Sequence, residues 1–219
     1  YLASVGLFIF AYAAGAAAWR RTGEFGHKAS VILIAITVMI FTVTARVRCA
    51  VWKDSVSLWT DTLSKQPMAG TGLINLCAEY LNRGMSAPAQ ACLTEAIRRY
   101  PHKDDNYYNL ALLLYRKGDS PGAERFLKRT LELNKGHAKA LFLLGNISLA
   151  NGKPGPARMF YLRSLACDGR YISPLKMLGA MSSAEKDRSK ALGYYSRALA
   201  LDPDDQETLS AIKTLDSSL

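Results

Sequence analysis

Hydrophobic residues are unevenly spread along this chain, and two uncharged segments stand near its start. They cover residues 1–19 and 29–45 and are separated by a basic stretch at 20–28. At 1.5 Å rise per residue, a helix over 29–45 is about 26 Å long, close to the ~30 Å thickness of a membrane core. We therefore predict two transmembrane helices joined by a basic loop, together residues 1–51. Buried core helices or, for the first segment, a cleaved signal sequence are the alternatives.

The rest of the chain repeats with a period of 34 residues. With repeat starts at positions 70, 104, 138 and 172, the seventh position is always leucine, as Leu76, Leu110, Leu144 and Leu178. The eighth and twentieth positions are small, and the twenty-fourth is large. Small residues let two antiparallel helices approach closely, while large ones fill the neighbouring gaps. Each repeat is therefore predicted to be a pair of helices.

Glycine and proline mark the turns between the predicted helices. Gly84, Gly118 and Gly152 occupy equivalent places, and glycine tolerates the positive φ that often ends a helix. Ser120 is the predicted N-cap of the helix that follows Gly118. The fourth repeat has Lys186 in place of the glycine, so we expect an irregular turn there. Prolines suited to a first helical turn follow three of the turns, as Pro88, Pro121 and Pro156.

The period extends beyond the four complete repeats in both directions. Residues 52–69 match the second half of a repeat, with Trp59 at the large position 24 and Pro67 at position 32. Residues 206–219 match a helix that caps the last repeat. The linker between the membrane segments and the repeats is then no longer than residues 46–51.

These features resemble tetratricopeptide repeats, units of 34 residues that form two helices and stack into a superhelix. The resemblance covers residues 70–205 as four units, 70–103, 104–137, 138–171 and 172–205. It implies an all-α fold whose concave face binds protein partners through positions 2, 5, 6, 9, 12 and 13 of each first helix. The partner-binding residues predicted at these positions are Asn75, Asn82, Tyr108, Asn109, Tyr115, Arg116, Lys139, Phe142, Asn146 and Lys176.

A second resemblance depends on two shorter motifs. One is a YLPS-(I/V)-G segment, matched by Tyr1, Leu2, Ser4 and Gly6, with Ala3 in place of proline. The other has the form RxxxWxDxxxLW, matched by Arg48, Trp52, Asp54, Leu58 and Trp59. They resemble polytopic membrane proteins that combine a glycosyltransferase-C type domain with such repeats, including O-mannosyltransferases. The resemblance implies repeats outside the cytoplasm, in the periplasm of a bacterium, and sugar-transfer carboxylates upstream of this chain.

The net charge of +10 does not indicate nucleic-acid binding. Lys and Arg are scattered among acidic residues, without a basic cluster or an RNA-binding motif. Three basic residues lie on each side of the second apolar segment, where anionic lipid headgroups are their expected counter-charge. They are Arg20, Arg21 and Lys28 on one side and Arg46, Arg48 and Lys53 on the other. Because the two flanks are equal, charge does not choose a membrane orientation.

No catalytic or metal-binding constellation stands out in the sequence. The three histidines fall in predicted loops, and a capping or solvated role is expected for each. The acidic pairs Asp104–Asp105 and Asp204–Asp205 precede first helices, where aspartate serves as N-cap and dipole partner. We therefore expect no catalysis within this chain, no cofactor and no bound metal.

The four cysteines show no spacing typical of a metal site. Free, buried thiols are the general expectation for such cysteines. Cys77 and Cys92 nevertheless fall on facing helices of one repeat, and an oxidising compartment would permit a bridge between them. The sequence leaves their pairing open.

Together these patterns predict a membrane-anchored interaction scaffold, an accessory subunit that docks onto a larger membrane assembly. Its contacts would be protein partners on the repeats and membrane lipids along residues 1–51. The alternative is the acceptor-recruiting C-terminal region of a polytopic glycosyltransferase. A cytoplasmic peptide receptor is a third possibility that depends on topology. The carboxylate clamp of heat-shock cochaperones is not expected, because Ile74, Ala78 and Leu143 replace polar residues that it needs.

Overall fold

A computed structural model describes residues 24–67 and 70–217, and every regular element within these ranges is a helix. The helices are α1 (Glu24–Val51), α2 (Ser55–Lys65), α3 (Gly70–Asn82), α4 (Ser86–Arg99), α5 (Asp104–Arg116), α6 (Ser120–Leu133), α7 (Ala138–Ala150), α8 (Pro154–Cys167), α9 (Ile172–Ala184), α10 (Arg188–Leu201) and α11 (Gln206–Ser217). The chain divides into two units after Pro67. The all-α class is therefore confirmed, while the first predicted membrane segment, residues 1–19, lies outside the described residues.

Within the described residues 24–67 of the first unit, one helix is long and apolar enough to cross a membrane. Within α1, the segment Val31–Cys49 has a mean hydropathy of 2.0 and no buried residue. Thr37 and Thr42 each donate a hydroxyl hydrogen bond of 2.8 Å to a backbone carbonyl one turn earlier. Their polar groups are thus satisfied inside the helix, which an apolar surrounding requires. The helix begins at Glu24, inside the stretch 20–28 that was predicted to be a loop.

The linker expected at residues 46–51 is helical instead. α1 continues to Val51, and only Trp52 to Asp54 separate it from α2. Asp54 is the N-cap of α2, and its Oδ1 accepts a hydrogen bond of 3.0 Å from the backbone N–H of Ser57. The segment 52–69 thus contains one short helix, and its identity as half a repeat stays a prediction.

The second unit contains four helix pairs in the register that the period predicts. Each first helix begins at position 1 of its repeat and spans 13 residues, and each second helix spans 14. The final helix, α11, begins at Gln206, where the capping helix was predicted. Every pair is closed by a contact between position 8 of the first helix and the second helix.

That closing contact differs between repeats. In the third repeat, a Cβ added at Gly145 would lie 2.4 Å from the ring of Tyr161, so only glycine leaves room for the ring. In the first repeat, Cys77 at the same position forms a disulfide with Cys92, with a Cα–Cα distance of 5.4 Å. The expectation of free, buried thiols is therefore wrong for this pair. Cys167, which remains free, is exposed at the end of α8.

The turns between paired helices share one backbone conformation. Gly118 has φ of 84°, and Lys186 adopts the same left-handed region with φ of 62°. The backbone N–H of each donates to a carbonyl three residues earlier at 2.9 Å, so the turn expected to be irregular is regular. Ser120 is the first residue of α6 and not its N-cap, because Asp119 precedes it and accepts a hydrogen bond of 2.8 Å from Gly122 N–H.

Candidate partner-binding surface

The first helices of the second unit expose a common surface, which we call the first-helix face. α3 contacts α5 and α9 contacts α11, and α7, α9 and α11, together with Tyr195 of α10, line a shared hollow of about 290 Å³. All ten residues predicted to bind a partner lie on these helices, and none of them is buried. Three are exposed, namely Asn82, Arg116 and Lys139; the others are half-buried, namely Asn75, Tyr108, Asn109, Tyr115, Phe142, Asn146 and Lys176.

Aromatic contacts support the fifth position of the second and third repeats. The ring centroid of Tyr108 lies 4.9 Å from that of His137, and Phe142 lies 5.3 Å from Tyr171. In both repeats the supporting ring is the last residue of the same repeat. Sequence reasoning missed Tyr171 because it considered first helices alone. The signal was a ring at position 34 of two successive repeats.

Burial raises the pKa of one tyrosine on this face and of one that lies beneath it on α8. Desolvation raises the pKa of Tyr108 to about 12, and nearby Tyr171 adds to the rise while Arg116 opposes it. Desolvation likewise raises the pKa of Tyr161 to about 12. The Tyr161 hydroxyl donates a hydrogen bond of 2.8 Å to Asn146 Oδ1. Both phenols are thus neutral donors at physiological pH, and Asn146 keeps its amide NH₂ for a partner.

Two amides at equivalent positions lack partners within the described part of the chain. Asn75 and Asn109 are position 6 of the first and second repeats; both are half-buried, and neither makes a side-chain hydrogen bond to a described residue. Asn106 behaves differently, because it is buried and its Nδ2 donates to the carbonyl of Ala96 at 3.3 Å. An unpartnered amide offers both a donor and an acceptor, which match the backbone of a bound peptide.

The cations of the first-helix face differ in their availability. Lys176 forms an ion pair with Asp205 at 3.1 Å and a second with Glu207. Hydrogen bonding to Glu207 is the main cause that raises the pKa of Lys176, so the ammonium is charged but already engaged. Arg116 and Lys139 have no ion pair with any described residue. The face therefore presents two free positive charges, fewer than the sequence suggested.

A histidine and two aspartates meet at the junction of the second and third repeats. The side-chain oxygen and nitrogen atoms of Asp104, Asp105 and His137 lie within 4.8 Å of one another. The sequence does not show this proximity, because His137 is more than 30 residues away from the aspartates. Asp104 accepts a hydrogen bond of 2.7 Å from Asn134, and His137 Nδ1 accepts one of 3.1 Å from Ala140 N–H. The remaining nitrogen, His137 Nε2, lies 3.3 Å from Asp105. The group is thus satisfied as a capping network, and we assign no metal to it.

The structure changes the role predicted for the pair Asp104–Asp105 and confirms part of the role predicted for Asp204–Asp205. Asp104 and Asp105 belong to the first turn of α5, whose N-cap is Lys103, without a side-chain hydrogen bond. Their charges still oppose the positive end of the helix dipole. Asp205 does act as a cap, since it accepts hydrogen bonds from the backbone N–H and the hydroxyl of Thr208 at the start of α11. Among the four aspartates of these two pairs, the predicted capping is confirmed for Asp205 alone.

Comparison with known proteins identifies the repeat. The tetratricopeptide repeat family model matches residues 79–137 and 108–171. No curated protein sequence matches the chain. PilF of Pseudomonas aeruginosa is similar in structure with a TM-score of 0.63, 20% identity and 70% coverage of each chain. A tetratricopeptide-repeat protein of Thermus thermophilus has a TM-score of 0.61 at 20% identity, over 83% of this chain and 95% of its own.

A third similar structure concerns a ligand as well as the fold. YrrB, described as a tetratricopeptide-repeat protein with an unusual peptide-binding site, has a TM-score of 0.54 at 21% identity, over 80% of this chain and 87% of its own. At such identities the likeness shows the fold alone. None of these comparisons supports the resemblance to glycosyltransferases that the short N-terminal motifs suggested.

Proposed function

Because the chain contains tetratricopeptide repeats, we propose that it is a scaffold that holds an extended segment of a protein partner on its first-helix face. The observation that carries this proposal is the pair of half-buried amides, Asn75 and Asn109, without hydrogen-bond partners among the described residues. Half-buried polar groups without partners lose free energy unless water or a ligand satisfies them. Their equivalent positions in successive repeats suit the regular backbone of an extended peptide.

The neighbouring side chains supply affinity and charge preference. Tyr108 and Phe142 are held by ring contacts, so they serve as rigid anchors that lose little conformational entropy on binding. Arg116 and Lys139 add two free positive charges, which favour a segment that contains acidic residues. Lys176 belongs to an ion pair and contributes less. The partner is therefore expected to be an extended peptide with apolar and acidic side chains.

Hydrogen exchange on the full chain, held in lipid nanodiscs, tests where such a segment binds. Peptides would be selected from a random library displayed on phage, and exchange would be measured with and without a selected peptide. Protection around Tyr108, Asn109 and Phe142 is the expected result. Protection confined to second helices such as α10 would reject the first-helix face as the binding site.

We also propose that α1 anchors the protein in a membrane. Its apolar side chains are open to the surroundings: Leu33 is 66% exposed and Met39 is 68% exposed. Such exposure is unfavourable in water but suits hydrocarbon. Alkaline carbonate extraction of membranes from expressing cells tests the anchor. The chain should stay in the membrane pellet, and its release into the supernatant would contradict the proposal.

The side of the membrane is part of the same proposal. The disulfide between Cys77 and Cys92 supports an extracytoplasmic location for the repeats, since disulfides persist mainly in oxidising compartments. In that location the scaffold would dock as an accessory subunit onto a larger membrane assembly. Alkylation of free thiols in freshly lysed cells should leave Cys77 and Cys92 unmodified until a reductant is added. Modification of both without reductant would place the repeats in a reducing compartment.

A further inference from the structure

The second helices form a different surface, where two junctions between repeats are closed by a polar contact from a second helix to the C-terminal end of the next repeat's first helix. Position 21 of one repeat there meets position 14 of the next. Lys117 donates a hydrogen bond of 3.0 Å to Gln90 between the first and second repeats. Arg158 Nη2 and Glu185 Oε2 lie 2.6 Å apart between the third and fourth, an ion pair whose angles do not suit a hydrogen bond. We call such a contact across two repeats a bridge.

The junction between the second and third repeats has no bridge among the described residues. Its equivalent positions are Glu124 and Asn151, and Glu124 instead pairs with Lys128 of its own helix at 2.9 Å. The space between α6 and α8 remains open as a groove of about 630 Å³, which we call the outer groove. Its apolar lining consists of Leu131, Leu144, Ile147, Pro156 and Phe160.

We propose that the outer groove is a docking site for an amphipathic helix of a partner protein, with acidic residues beside its apolar face. The groove follows α6 from Glu124 to Glu132, about 12 Å or just over two helical turns, and continues to Lys135 beyond the end of the helix. The helices that form its walls bond their own backbone groups, so an extended strand would find few partners there. A helix satisfies its own backbone and needs mainly apolar contact. The site is separate from the first-helix face and does not depend on the function proposed for that face.

Charge at the rim selects an acidic partner. Lys135 follows α6 and Lys153 precedes α8, and because α6 and α8 run in the same direction these cations lie at opposite ends of the groove. Both are exposed and have no ion pair within the described ranges. The rim carboxylate of Glu132 is paired with Arg129 at 2.7 Å, so the free charge is positive. A second copy of this chain, with its net charge of +10, is a poorer match.

Two synthetic helical peptides provide the first test. They share one stripe of leucines over about three turns and differ only in flanking residues, which are glutamate in one peptide and lysine in the other. Fluorescence anisotropy would measure binding to the full chain in zwitterionic nanodiscs, with empty nanodiscs as the blank. The glutamate peptide should bind at least threefold more tightly and protect residues 124–135 and 153–160 from hydrogen exchange. Equal binding, no binding above the blank, or protection elsewhere would overturn the proposal.

A grafted bridge provides the sharper test. The double substitution Glu124→Gln, Asn151→Lys copies the Gln90–Lys117 pair into the open junction. It should lower the affinity for the glutamate peptide at least tenfold, because the new bridge closes the groove. Charge alone predicts tighter binding, since the graft removes one negative charge and adds one positive charge. Circular dichroism would confirm that the graft keeps its helices and its melting temperature.

The matched control is Asn75→Ala on the first-helix face, which lies outside the groove lining and should leave binding of the helical peptide unchanged. A graft that retains full affinity would refute the docking site. Sedimentation equilibrium decides the remaining alternative: self-association that disappears in the graft would assign the groove to a second copy of the chain and so reject a heterologous partner.

Discussion

At residue 186 the backbone takes a conformation that lysine avoids. The left-handed turn with φ of 62° is imposed by the helix register on both sides, and the other three repeats fill it with glycine. Residue type alone predicted an irregular turn, because a sequence does not show how strongly flanking helices hold a turn. The same limit applies to caps: Asp119 and Ser120 are both good N-cap residues, and only the backbone path distinguishes them.

The substitution Lys186→Gly should stabilise the fourth repeat. Removing the strain of a left-handed lysine should stabilise the fold by about 1–2 kcal/mol. The greater freedom of glycine in the unfolded chain should cost about 0.5–1 kcal/mol, so we expect a net gain in stability of about 0.5–1 kcal/mol. Urea unfolding of the full chain in detergent micelles measures it. Gly118→Ala is the mirror control: no atom lies within 4 Å of the new Cβ, so its expected loss of about 1 kcal/mol is due to the backbone alone. A neutral or destabilising Lys186→Gly would show that the turn is relaxed.

Position 11 of the third and fourth repeats offers a second test at this scale. Ser182 is fully buried, and its hydroxyl has no hydrogen-bond partner among the described residues. The equivalent Ser148 donates to the carbonyl of Leu144 at 2.8 Å. Ser182→Ala should therefore raise the free energy of unfolding by about 1 kcal/mol relative to Ser148→Ala, because both changes share the same gain in helix propensity. Equal effects in thermal melts would indicate that Ser182 is satisfied, for example by a buried water.

At the scale of helices, the sequence period predicted the residues at which the four first helices begin. Close packing of the paired helices requires small and large side chains at fixed positions, so the same pattern recurs in the sequence of every repeat. Contacts between residues far apart in sequence are not periodic in this way. The ion pairs of Lys176 with Asp205 and Glu207 across 29 and 31 residues, and the bridges from a second helix to the next repeat, became visible only in the structure.

The start of α11 should respond to acid. Hydrogen bonds from Thr208 and then from Lys176 lower the pKa of Asp205 below its ordinary value of 3.8. A lowered pKa means that this contribution to stability is complete above the ordinary value and is lost as the pH falls through the folded one. NMR amide signals of α11 should therefore broaden or shift below about pH 4. Asp205→Asn can still cap the helix and should remove this dependence; persistence in that variant would assign the effect to another group.

The first repeat should depend on its disulfide. A bridge that closes a loop of about 15 residues stabilises a fold by about 3 kcal/mol. Replacing Cys77 and Cys92 by alanine should therefore increase hydrogen exchange in α3 and α4. Exchange in α7 and α8, which contain no bonded cysteine, should remain unchanged and serves as the internal control. Uniform protection in the variant would show that packing alone holds the first repeat.

For the whole molecule, the sequence predicted an interaction scaffold because no catalytic group stood out among regularly spaced packing residues. The structure refines the candidate surface residue by residue. Asn75, Asn109, Arg116 and Lys139 lack partners in the described part of the chain, whereas Lys176 is engaged. Sequence spacing could identify which positions face outward but not which side chains remain free, since that depends on neighbours from other repeats. Membrane anchorage by α1 and extracytoplasmic repeats stay proposals at this scale.

The most direct measurement is the affinity of a library-selected peptide for the full chain in nanodiscs, with and without the two free amides. The double substitution Asn75→Ala, Asn109→Ala should weaken binding about tenfold or more, since each lost hydrogen bond contributes about 1 kcal/mol. The control Ser189→Ala, Ser196→Ala removes two exposed polar groups from α10 and should leave the affinity unchanged. If the asparagine variant binds as tightly as the original chain, or if both variants weaken equally, the first-helix face is not the partner-binding surface.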